Sequence, residues 1–544
     1  MDRRTLLKSA GLAAAAHLAL PYPTGVLAGS SFGQPLRDLP EIRSRDGVLD
    51  YQLDMYAQRV PVGDRVITVD TYNGQLPGPI LRFRPGDEVR LLLRNLMRPM
   101  GLPYNNMPPM CAHRAAEHGS HGGSHDRLVC GPDLAERVGE GHTLPQMMIA
   151  TNIHTHGLQV PPTGQADDVF LRVDPLGQHQ YIYRIPADQP AGMHWYHPHF
   201  HGSTSHQAWA GLAGPLIVEG DIDTVPEIAA MRERSIVVSE LWLDDNGEVP
   251  TALVVPTGGQ VPFSSIPAVP TTTTFTLNGQ LLPEIHMRPG ETQRWRLLNA
   301  APHRAVWLHI AEHEMHRIGQ DGIPFARPKR APAVFLSSGN RSEFIVKAGE
   351  PGRYPIINRS YDQGHPGGAR PTVQLATLVV GGPTADGRIP TELVSPPVMP
   401  DLPVARRRTL TFRGDISGND GAGVAFYIDD QLYDHDRIDQ VVEAGTVEEW
   451  RIVNDDVFHH PFHIHVNPFQ VIDVRGIPPG DTTFDTDPYI WWDVFTLPPK
   501  GEFTLRTYFR PDVTGKTVYH CHILPHEDNG MMGNVLIVPP GQGN

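Results

Sequence analysis

The stretch Tyr519-His520-Cys521-His522-Ile523-Leu524-Pro525-His526-Glu527-Asp528-Asn529-Gly530-Met531-Met532 holds one cysteine, three histidines and a methionine between His520 and Met531. If it begins as a β-strand, its side chains alternate between two faces with a period of two. His520 and His522 then point to one face and Cys521 to the other. One short piece of backbone would serve two sites, with an electron entering at a cysteine thiolate and leaving through two imidazoles.

Three more His-x-His pairs stand earlier in the chain, and on a strand each pair puts two imidazoles on one face. They lie in Asn152-Ile153-His154-Thr155-His156-Gly157, Trp195-Tyr196-His197-Pro198-His199 and His459-His460-Pro461-Phe462-His463-Ile464-His465. The four pairs supply eight imidazoles, the number needed to hold three copper ions when solvent-derived ligands complete each coordination sphere. The remaining neighbours His459, His201 and His206 are predicted to support the site or the fold.

Four potential ligands remain outside these pairs, namely His460, Cys521, His526 and Met531. Two histidines, a cysteine and a weak axial methionine make up a blue-copper electron-transfer site. Zinc also binds histidine and cysteine, but twelve ligands divided into eight and four are not a zinc pattern. The combination therefore predicts copper.

One pattern occurs three times along the chain. It consists of a turn, then a glycine-marked turn, and then an alternating strand that ends in asparagine. The copies span residues 72–77 with 84–95, 277–283 with 288–299, and 428–432 with 443–454. A triplicate with so long a spacing indicates three whole β-domains rather than a solenoid. The length of 544 residues, with 53 glycines and 54 prolines, agrees with many short strands joined by turns. We expect an all-β fold with little helix.

Composition places the domain bounds at residues 45–220, 234–382 and 405–540, with a polar linker at 220–234 and a proline-rich linker at 381–408. The first domain carries a Met/His-rich insertion at 98–146 that either forms a flexible surface loop, the favoured interpretation, or binds copper. An oxidising compartment favours a Cys111–Cys130 disulfide, which leaves Cys521 as a metal thiolate.

The N-terminus resembles a twin-arginine export signal. Asp2-Arg3-Arg4-Thr5-Leu6-Leu7-Lys8 precedes an apolar run from Ala10 to Leu20, and Val26-Leu27-Ala28 offers a cleavage site. The alternative is a basic start of an ordinary helix. We expect residues 1–28 to direct the protein to the periplasm. The rest of the sequence contains no apolar run of about 18 residues, so we expect no membrane insertion. The formal charge of −15 argues against nucleic acid as a partner.

The motifs His-Thr-His-Gly, Trp-Tyr-His-Pro-His, His-Pro-Phe-His-Ile-His and His-Cys-His-Ile-Leu-Pro-His-Glu-Asp-Asn-Gly-Met-Met resemble those of three-domain multicopper oxidases of the bacterial laccase-like type. The resemblance implies three cupredoxin-like Greek-key β-barrels and four copper ions, one of type 1, one of type 2 and two of type 3. It assigns type 1 to His460, Cys521, His526 and Met531, and type 2 to His154 and His463. One type 3 ion takes His156, His197 and His522, and the other takes His199, His465 and His520.

The same resemblance implies that a reductant gives single electrons to type 1 copper near His526 and that the cluster reduces dioxygen to two waters. Four protons are also needed, so acids near the cluster matter. Glu527 follows His526 at the position of a proton-relay carboxylate. A second acid is Asp167 or Asp168, and the spacing from His156 leaves that choice open. Met531, compared with an apolar axial residue, should lower the type 1 potential.

Three functions follow from these patterns. The favoured one is laccase-type oxidation of phenols or aromatic amines. The alternative is oxidation of Cu(I) or another metal ion for copper tolerance, on the strength of the Met/His-rich insertion and the acidic charge. The third is a non-catalytic periplasmic scaffold, which the twelve retained ligands disfavour. We expect a monomer whose partners are dioxygen and a small-molecule or metal-ion reductant.

Overall fold

A computed structural model describes residues 33–97, 149–243, 273–365, 368–415 and 425–543, all within one compact unit. The predicted export signal, the Met/His-rich insertion and the Cys111–Cys130 pair lie outside the described residues. Within the described ranges, no helix has the length and apolar character needed to cross a membrane.

The first of three successive segments forms two sheets. Its strands are β1 (Glu41–Arg43), β2 (Val48–Val62), β3 (Arg65–Tyr72), β4 (Ile80–Phe83), β5 (Glu88–Asn95), β6 (His154–His156), β7 (Gln178–Arg184), β8 (Gly192–His197) and β9 (Gly214–Val218). The sheet orders are β1-β4-β9-β8-β6 and β3-β2-β5-β7. Helix α1 (Thr204–Trp209) lies between β8 and β9, and a 3-10 turn (Asp221–Thr224) and helix α2 (Pro226–Ala229) follow.

The second segment repeats the arrangement. Its strands are β10 (Arg232–Trp242), β11 (Thr273–Leu277), β12 (Glu284–Met287), β13 (Thr292–Asn299), β14 (Val306–Ile310), β15 (Met315–Gln320), β16 (Ile323–Ala331), β17 (Val334–Leu336), β18 (Arg341–Lys347), β19 (Gly352–Asn358) and β20 (Val373–Val380). They form sheets of order β11-β10-β13-β18-β15-β16 and β12-β20-β19-β14-β17.

The third segment does so again. Its strands are β21 (Val404–Asp415), β22 (Ala425–Ile428), β23 (Gln440–Glu443), β24 (Thr446–Asn454), β25 (His460–Ile464), β26 (Phe469–Arg475), β27 (Trp491–Trp492), β28 (Val494–Leu497), β29 (Glu502–Phe509), β30 (Gly515–Cys521) and β31 (Met532–Val538). The sheets run β22-β21-β24-β29-β26-β27 and β23-β31-β30-β25-β28. The predicted all-β class is confirmed, while the domain bounds themselves stay a prediction.

The repeated turn has one physical basis in all three segments. Two adjacent residues adopt positive φ in each copy, as the tight hairpin turn that matches strand twist requires. They are Asn73-Gly74, Asn278-Gly279 and Asp429-Asp430, with φ between 49° and 72°. The asparagine that ends each long strand is buried, and its side-chain amide donates to a backbone carbonyl; these residues are Asn95, Asn299 and Asn454. The weaker third motif is therefore equivalent to the other two in backbone conformation.

Each segment encloses its own apolar core, with Tyr181, Trp295 and Trp450 fully buried in the first, second and third. A further cluster joins the first and second segments through β8, where Met193 and Trp195 pack with residues of β10 and β13. Burying side chains of this size contributes roughly 1.5–3 kcal/mol each. The second segment is thereby held against the strand that carries His197.

The opening stretch of the sequence begins as the predicted strand, since β30 extends to Cys521. In the sheet, His520 lies beside His463 and Cys521 beside Phe462. The chain then turns into helix α3 (Leu524–Asp528), which has a proline in its first turn. Helix α3 packs against α1 of the first segment, so the first and third segments also meet at this point.

Candidate metal centres

Two antiparallel strand pairs bring the eight paired histidines together. In the first segment β6 pairs with β8, setting His154 beside His197. In the third, β25 pairs with β30 and sets His463 beside His520. All eight imidazoles are at most 1% exposed; they are His154, His156, His197, His199, His463, His465, His520 and His522. They form one buried group between the two segments.

Three of these imidazoles form a regular triangle. The Nε2 atoms of His199 and His520 are 3.1 Å apart, those of His465 and His199 are 3.1 Å apart, and those of His465 and His520 are 3.2 Å apart. Dividing the edge by √3 places the centre about 1.8 Å from each nitrogen. A metal ion bound by imidazole lies about 2.0 Å from nitrogen, so the triangle fits an ion just above its plane.

A second group lies around His156 and His522. Nδ1 of His156 is 3.3 Å from Nε2 of His522. His197 turns Nδ1 to the carbonyl oxygen of Pro198 at 2.9 Å, and its Nε2 is buried without a hydrogen-bond partner in the described chain. Ligand atoms of His154, His156 and His197 lie within 4.8 Å of one another. His197 therefore keeps a free nitrogen for this group.

His154 and His463 each have one ring nitrogen fixed and one left over. Nδ1 of His154 is 2.8 Å from a carboxylate oxygen of Asp167, and Nδ1 of His463 is 2.7 Å from the carbonyl oxygen of Asp493. Their Nε2 atoms are buried and find no hydrogen-bond partner among the described residues. A buried polar atom without a partner is costly, and a fixed second nitrogen is the usual arrangement of a metal-bound histidine.

Burial and mutual proximity keep these imidazoles neutral. Burial lowers the pKa of His197 to about 3 and that of His520 to about 4. Burial and the neighbouring histidines hold the pKa of His154 and of His465 well below its usual range. A neutral imidazole keeps the lone pair that a metal ion needs. The donor set thus fits copper ions bound by neutral nitrogen.

The second predicted centre lies on the other side of β30. Sγ of Cys521 is 3.5 Å from Nδ1 of His460 and 3.7 Å from Nδ1 of His526, and these two nitrogens are 3.2 Å apart. Met531 is fully buried in the same apolar cluster. The amide of Cys521 donates to the carbonyl of Met531 at 3.1 Å. All four predicted residues are therefore adjacent.

The thiol of Cys521 shows why this centre suits a metal. Cys521 is fully buried and forms no disulfide with any described residue. Burial raises its pKa above the ordinary thiol value, so without a cation it would stay protonated. A bound metal ion reverses that balance because it deprotonates a coordinating thiol. Two histidines, a thiolate and a methionine fit copper of the blue type.

The structure distinguishes between the two candidate aspartates. Asp167 is fully buried, and besides His154 it accepts hydrogen bonds from the amide and hydroxyl of Thr155 at 2.7 and 3.0 Å. Burial raises its pKa to about 7. Asp168 is half-buried and accepts from the backbone amide of Phe170 at 3.0 Å. The carboxylate that contacts a predicted copper ligand is Asp167.

Glu527 lies against the histidine triangle. Its carboxylate oxygens are 3.7 Å from Nδ1 of His199 and 3.5 Å from Nδ1 of His520. The hydroxyl of Thr204 donates to it at 3.3 Å. The carboxylate is fully buried, and burial together with Asp528 raises its pKa well above the usual range. Glu527 is therefore a buried acid of raised pKa next to two imidazoles.

Sequence reasoning missed the contribution of the second segment. Arg341 donates to both carboxylate oxygens of Asp493 at 2.7 and 2.6 Å, and Asp493 lies 3.1 Å from Nε2 of His156. The hydroxyl of Ser338 is 3.2 Å from Nδ1 of His522. These residues lie in no His-x-His motif and are distant in sequence from their partners, so no local signal pointed to them.

A contact beside the second centre was also missed. Asp456 lies 3.3 Å from Nε2 of His460 and fixes that ring from behind. Asp456 stands four residues before the predicted ligand His460, so the sequence did contain a local signal for this contact. The extra histidines lie outside both groups: His459 is 3.3 Å from the hydroxyl of Tyr361, and His201 packs on Tyr433.

Comparison with known proteins agrees with this geometry. Three family models described as multicopper oxidase match residues 144–222, 233–383 and 402–541, and together they cover more than half of the chain. A laccase of Bacillus stratosphericus is 25% identical over 508 residues, covering 86% of this chain and 90% of the laccase. Cell division protein FtsP of Shigella dysenteriae is 25% identical over 562 residues, covering 99% of both chains.

Among solved structures, a multicopper oxidase from Campylobacter jejuni described as a metallo-oxidase superposes with a TM-score of 0.71 at 23% identity. The match covers 93% of this chain and 96% of the other. It shows that the two proteins share a fold and confirms the predicted three cupredoxin-like Greek-key barrels.

Proposed function

This chain belongs to the multicopper oxidase family and is a copper oxidoreductase, and from that premise we propose that it oxidises phenols or aromatic amines one electron at a time and reduces dioxygen to water. One observation carries the proposal: eight buried imidazoles lie on one side of β30, and the group of His460, Cys521 and His526 lies on the other. When bound, the four copper ions take up single electrons and deliver four of them, with four protons, to dioxygen to give two waters.

We assign the ligands as the sequence suggested. Type 1 copper would be held by His460, Cys521, His526 and Met531. Type 2 copper would be held by His154 and His463. The type 3 ions would be held by His156, His197 and His522, and by His199, His465 and His520. The contacts described above within the type 1 and type 3 sets support this assignment, and the ring centroids of His154 and His463 are 5.8 Å apart.

The chain's own residues link the two centres. Cys521 directly follows His520 and precedes His522, so the thiolate is joined to two imidazoles of the other centre by a few covalent bonds. Asp456 and Asp493 hold the rings of His460 and His156 from behind. Fixed rings keep their lone pairs aimed at the ion.

Proton delivery is the proposed role of the two buried acids. Glu527, whose pKa burial raises well above its usual range, lies within 3.7 Å of His199 and His520. Asp167 touches His154 on the opposite side and, with a pKa of about 7, exchanges its proton readily. Each acid lies where it can pass a proton toward the imidazole-lined space.

A test of the oxidase function compares oxygen uptake by the copper-loaded protein with a phenol, Cu(I) and Fe(II). Oxygen uptake with at least one reductant is expected. Full copper loading without uptake from any of them would refute the oxidase function and favour the non-catalytic scaffold. Replacing Cys521 with serine should abolish the blue colour and turnover together, and surviving turnover would contradict the assigned electron path.

A second candidate substrate, Cu(I), is favoured by one observation at the type 1 centre. His526 is fully buried, and the imidazole of His365 packs against it with ring centroids 5.4 Å apart. Phe426 stacks on the same ring at 3.8 Å. An aromatic substrate would meet these side chains before the edge of His526, whereas an ion needs far less room. Comparing the rates with a phenol and with Cu(I) decides between the two.

A further inference from the structure

One edge of strand β8 lacks a neighbouring strand over part of its length. Strand β6 pairs with β8 only as far as Trp195, which lies opposite His156. The chain then turns away from β8 at Gly157, whose φ is +96°. Residues two apart on a strand direct their backbone groups to the same edge. Met193 therefore presents its amide and carbonyl to this edge at a point where β6 has already ended.

Two side chains of the second segment take the place of the missing strand. Oε1 of Glu343 accepts a hydrogen bond from the amide of Met193 at 2.8 Å, and Nε of Arg341 donates to the carbonyl of Met193 at 3.1 Å. Met193 is fully buried, and buried backbone groups need such partners. Arg341 and Glu343 stand two residues apart on β18, so both side chains leave the same face of that strand. Together they supply the acceptor and the donor that a strand would supply.

The carboxylate of Glu343 is itself held by two arginines. Arg294 donates to its Oε2 at 3.0 and 2.6 Å, and Arg296 donates to its Oε1 at 2.6 Å. Arg296 also lies directly opposite Glu343 in the pair of strands β13 and β18. Hydrogen bonds between charged groups are short and strong. The oxygen that accepts from β8 therefore has a fixed position within the second segment.

Two glycines allow the second segment to lie so close to β8. A Cβ at Gly192 would be 2.4 Å from the carbonyl oxygen of Gly322, and a Cβ at Gly157 would be 2.6 Å from Nη2 of Arg341. Both distances are far below van der Waals contact. A larger residue at either position would separate β8 from the side chains that bind it.

The position of Met193 affects a predicted copper ligand on the same strand. Met193, Trp195 and His197 alternate along β8, so their side chains share one face. The ring of Trp195 stacks on that of His197, with centroids 4.1 Å apart and an interplanar angle of 26°. Met193 and Trp195 both pack in the cluster shared with the second segment. A shift of β8 at Met193 would therefore move His197 relative to the other ligands assigned to the same copper ion.

We propose that Glu343 is a positioning residue of the oxygen-reducing centre. With Arg341 it completes the free edge of β8 and so sets the place of His197. The second segment, to which no copper ligand is assigned, thereby controls the placement of a ligand in the first. This proposal rests on the proposed function through the assignment of His197 to type 3 copper.

The first test is hydrogen–deuterium exchange of the copper-free protein, followed at the Met193 amide by fragmentation mass spectrometry. Glu343→Gln and Glu343→Met both remove the negative charge, but only glutamine keeps an oxygen that can accept from Met193. We expect exchange at this amide to accelerate by about tenfold or more in Glu343→Met, and by clearly less in Glu343→Gln. Equal exchange in Glu343→Met and the wild type, or equal acceleration in both variants, would overturn the proposal.

The second test is the spectrum of the copper-loaded protein. Because His197 is assigned to type 3 copper alone, Glu343→Met should disturb the absorption and magnetic coupling of the type 3 pair and leave the blue absorption of type 1 unchanged. Glu343→Gln should recover most of the wild-type type 3 signal. An unaltered type 3 spectrum in a variant whose Met193 amide exchanges faster would refute the positioning role.

The matched control is Glu233→Met, which removes a carboxylate from the same arginine network. Glu233 contacts Nε of Arg296 at 2.9 Å and accepts from Arg82 at 2.5 Å, and within the described ranges it forms no hydrogen bond with β8. Exchange at Met193 and the type 3 spectrum should therefore stay as in the wild type. Changes as large as those of Glu343→Met would show that lost charge, not the contact with β8, is responsible, and would overturn the proposal.

If Glu343→Met fails to fold, Glu343→Asp replaces it. Aspartate keeps the charge for both arginines but is one methylene shorter, so it should withdraw the acceptor from Met193 and accelerate exchange there. Unchanged exchange in this variant would again overturn the proposal. If the copper-loaded wild type takes up no oxygen with any reductant, the proposed function fails, while the exchange and the spectra still decide the role of Glu343.

Discussion

Replacing Arg341 with methionine tests whether the second segment holds the ligands of the oxygen-reducing centre. The guanidinium is fully buried and donates to Asp493 at 2.7 and 2.6 Å, to the carbonyl of Met193 at 3.1 Å and to that of Gly339 at 3.1 Å. Methionine has a similar length and no charge. The substitution therefore leaves the Asp493 carboxyl buried without its cation.

The loss of stability caused by Arg341→Met depends on pH because Asp493 titrates. Burial raises its pKa to about 7 against the pull of Arg341. At pH 8 the wild type holds an ion pair, and losing one partner of a buried pair costs about 3–5 kcal/mol. At pH 5 Asp493 carries a proton, so the loss is limited to hydrogen bonds worth about 1–2 kcal/mol. Since the folded pKa lies above the unfolded value, this carboxyl contributes less stability as pH rises from about 4 to about 7.

Urea unfolding of the copper-free protein at both pH values measures the effect without stabilisation by bound metal. With a slope of about 2–3 kcal/mol/M, the midpoint should fall by about 1–2 M at pH 8 and by clearly less at pH 5. Arg327→Met is the matched control, because Arg327 and its partner Glu392 are 71% and 70% exposed and such pairs contribute little. The double variant R341M/D493L should recover much of the loss.

The reasoning would be refuted if the midpoint of urea unfolding fell no further at pH 8 than at pH 5. It would also be refuted if the midpoint fell no further than in the Arg327→Met control. In the copper-loaded protein the same substitution should also disturb the absorption and magnetic coupling of the type 3 pair, since Asp493 contacts His156. An unaltered spectrum would show that Asp493 keeps His156 in place without help from Arg341.

Three other outcomes are expected. Met531→Leu should raise the type 1 potential in a redox titration, and an unchanged potential would show that Met531 is not an axial ligand. Glu527→Gln should lower oxygen turnover by about a hundredfold or more, while anaerobic reduction of type 1 copper keeps its rate; equal losses in both would argue against a proton role. Asp70 has a pKa raised to about 7 by burial, so its carboxyl reduces stability as pH rises from about 4 to about 7. Asp70→Asn should therefore stabilise the protein at pH 8 by no more than about 4 kcal/mol and have little effect at pH 4, as thermal unfolding at the two pH values will test.

The sequence alone determined what local pattern can encode. Paired turn residues such as Asn73-Gly74 favour positive φ wherever they occur, so the triplicate predicted three equivalent β-segments. Strand alternation predicted that His520 and Cys521 would face different centres, because the period of two follows from backbone geometry. The same alternation predicted that His463 and His465 share one strand face, and that His154 and His156 share another.

Tertiary structure decided what no local pattern carries. The choice of Asp167 over Asp168 depends on which side chain the loop turns toward His154. Arg341 and Asp493 are 152 positions apart in sequence, and they meet because the second and third segments pack together, with Phe325 of the second buried in the apolar core of the third. His365 likewise packs on His526 only where the second and third segments meet. Such contacts follow from the burial of apolar surface between barrels, which fixes their relative placement without a period or motif along the chain.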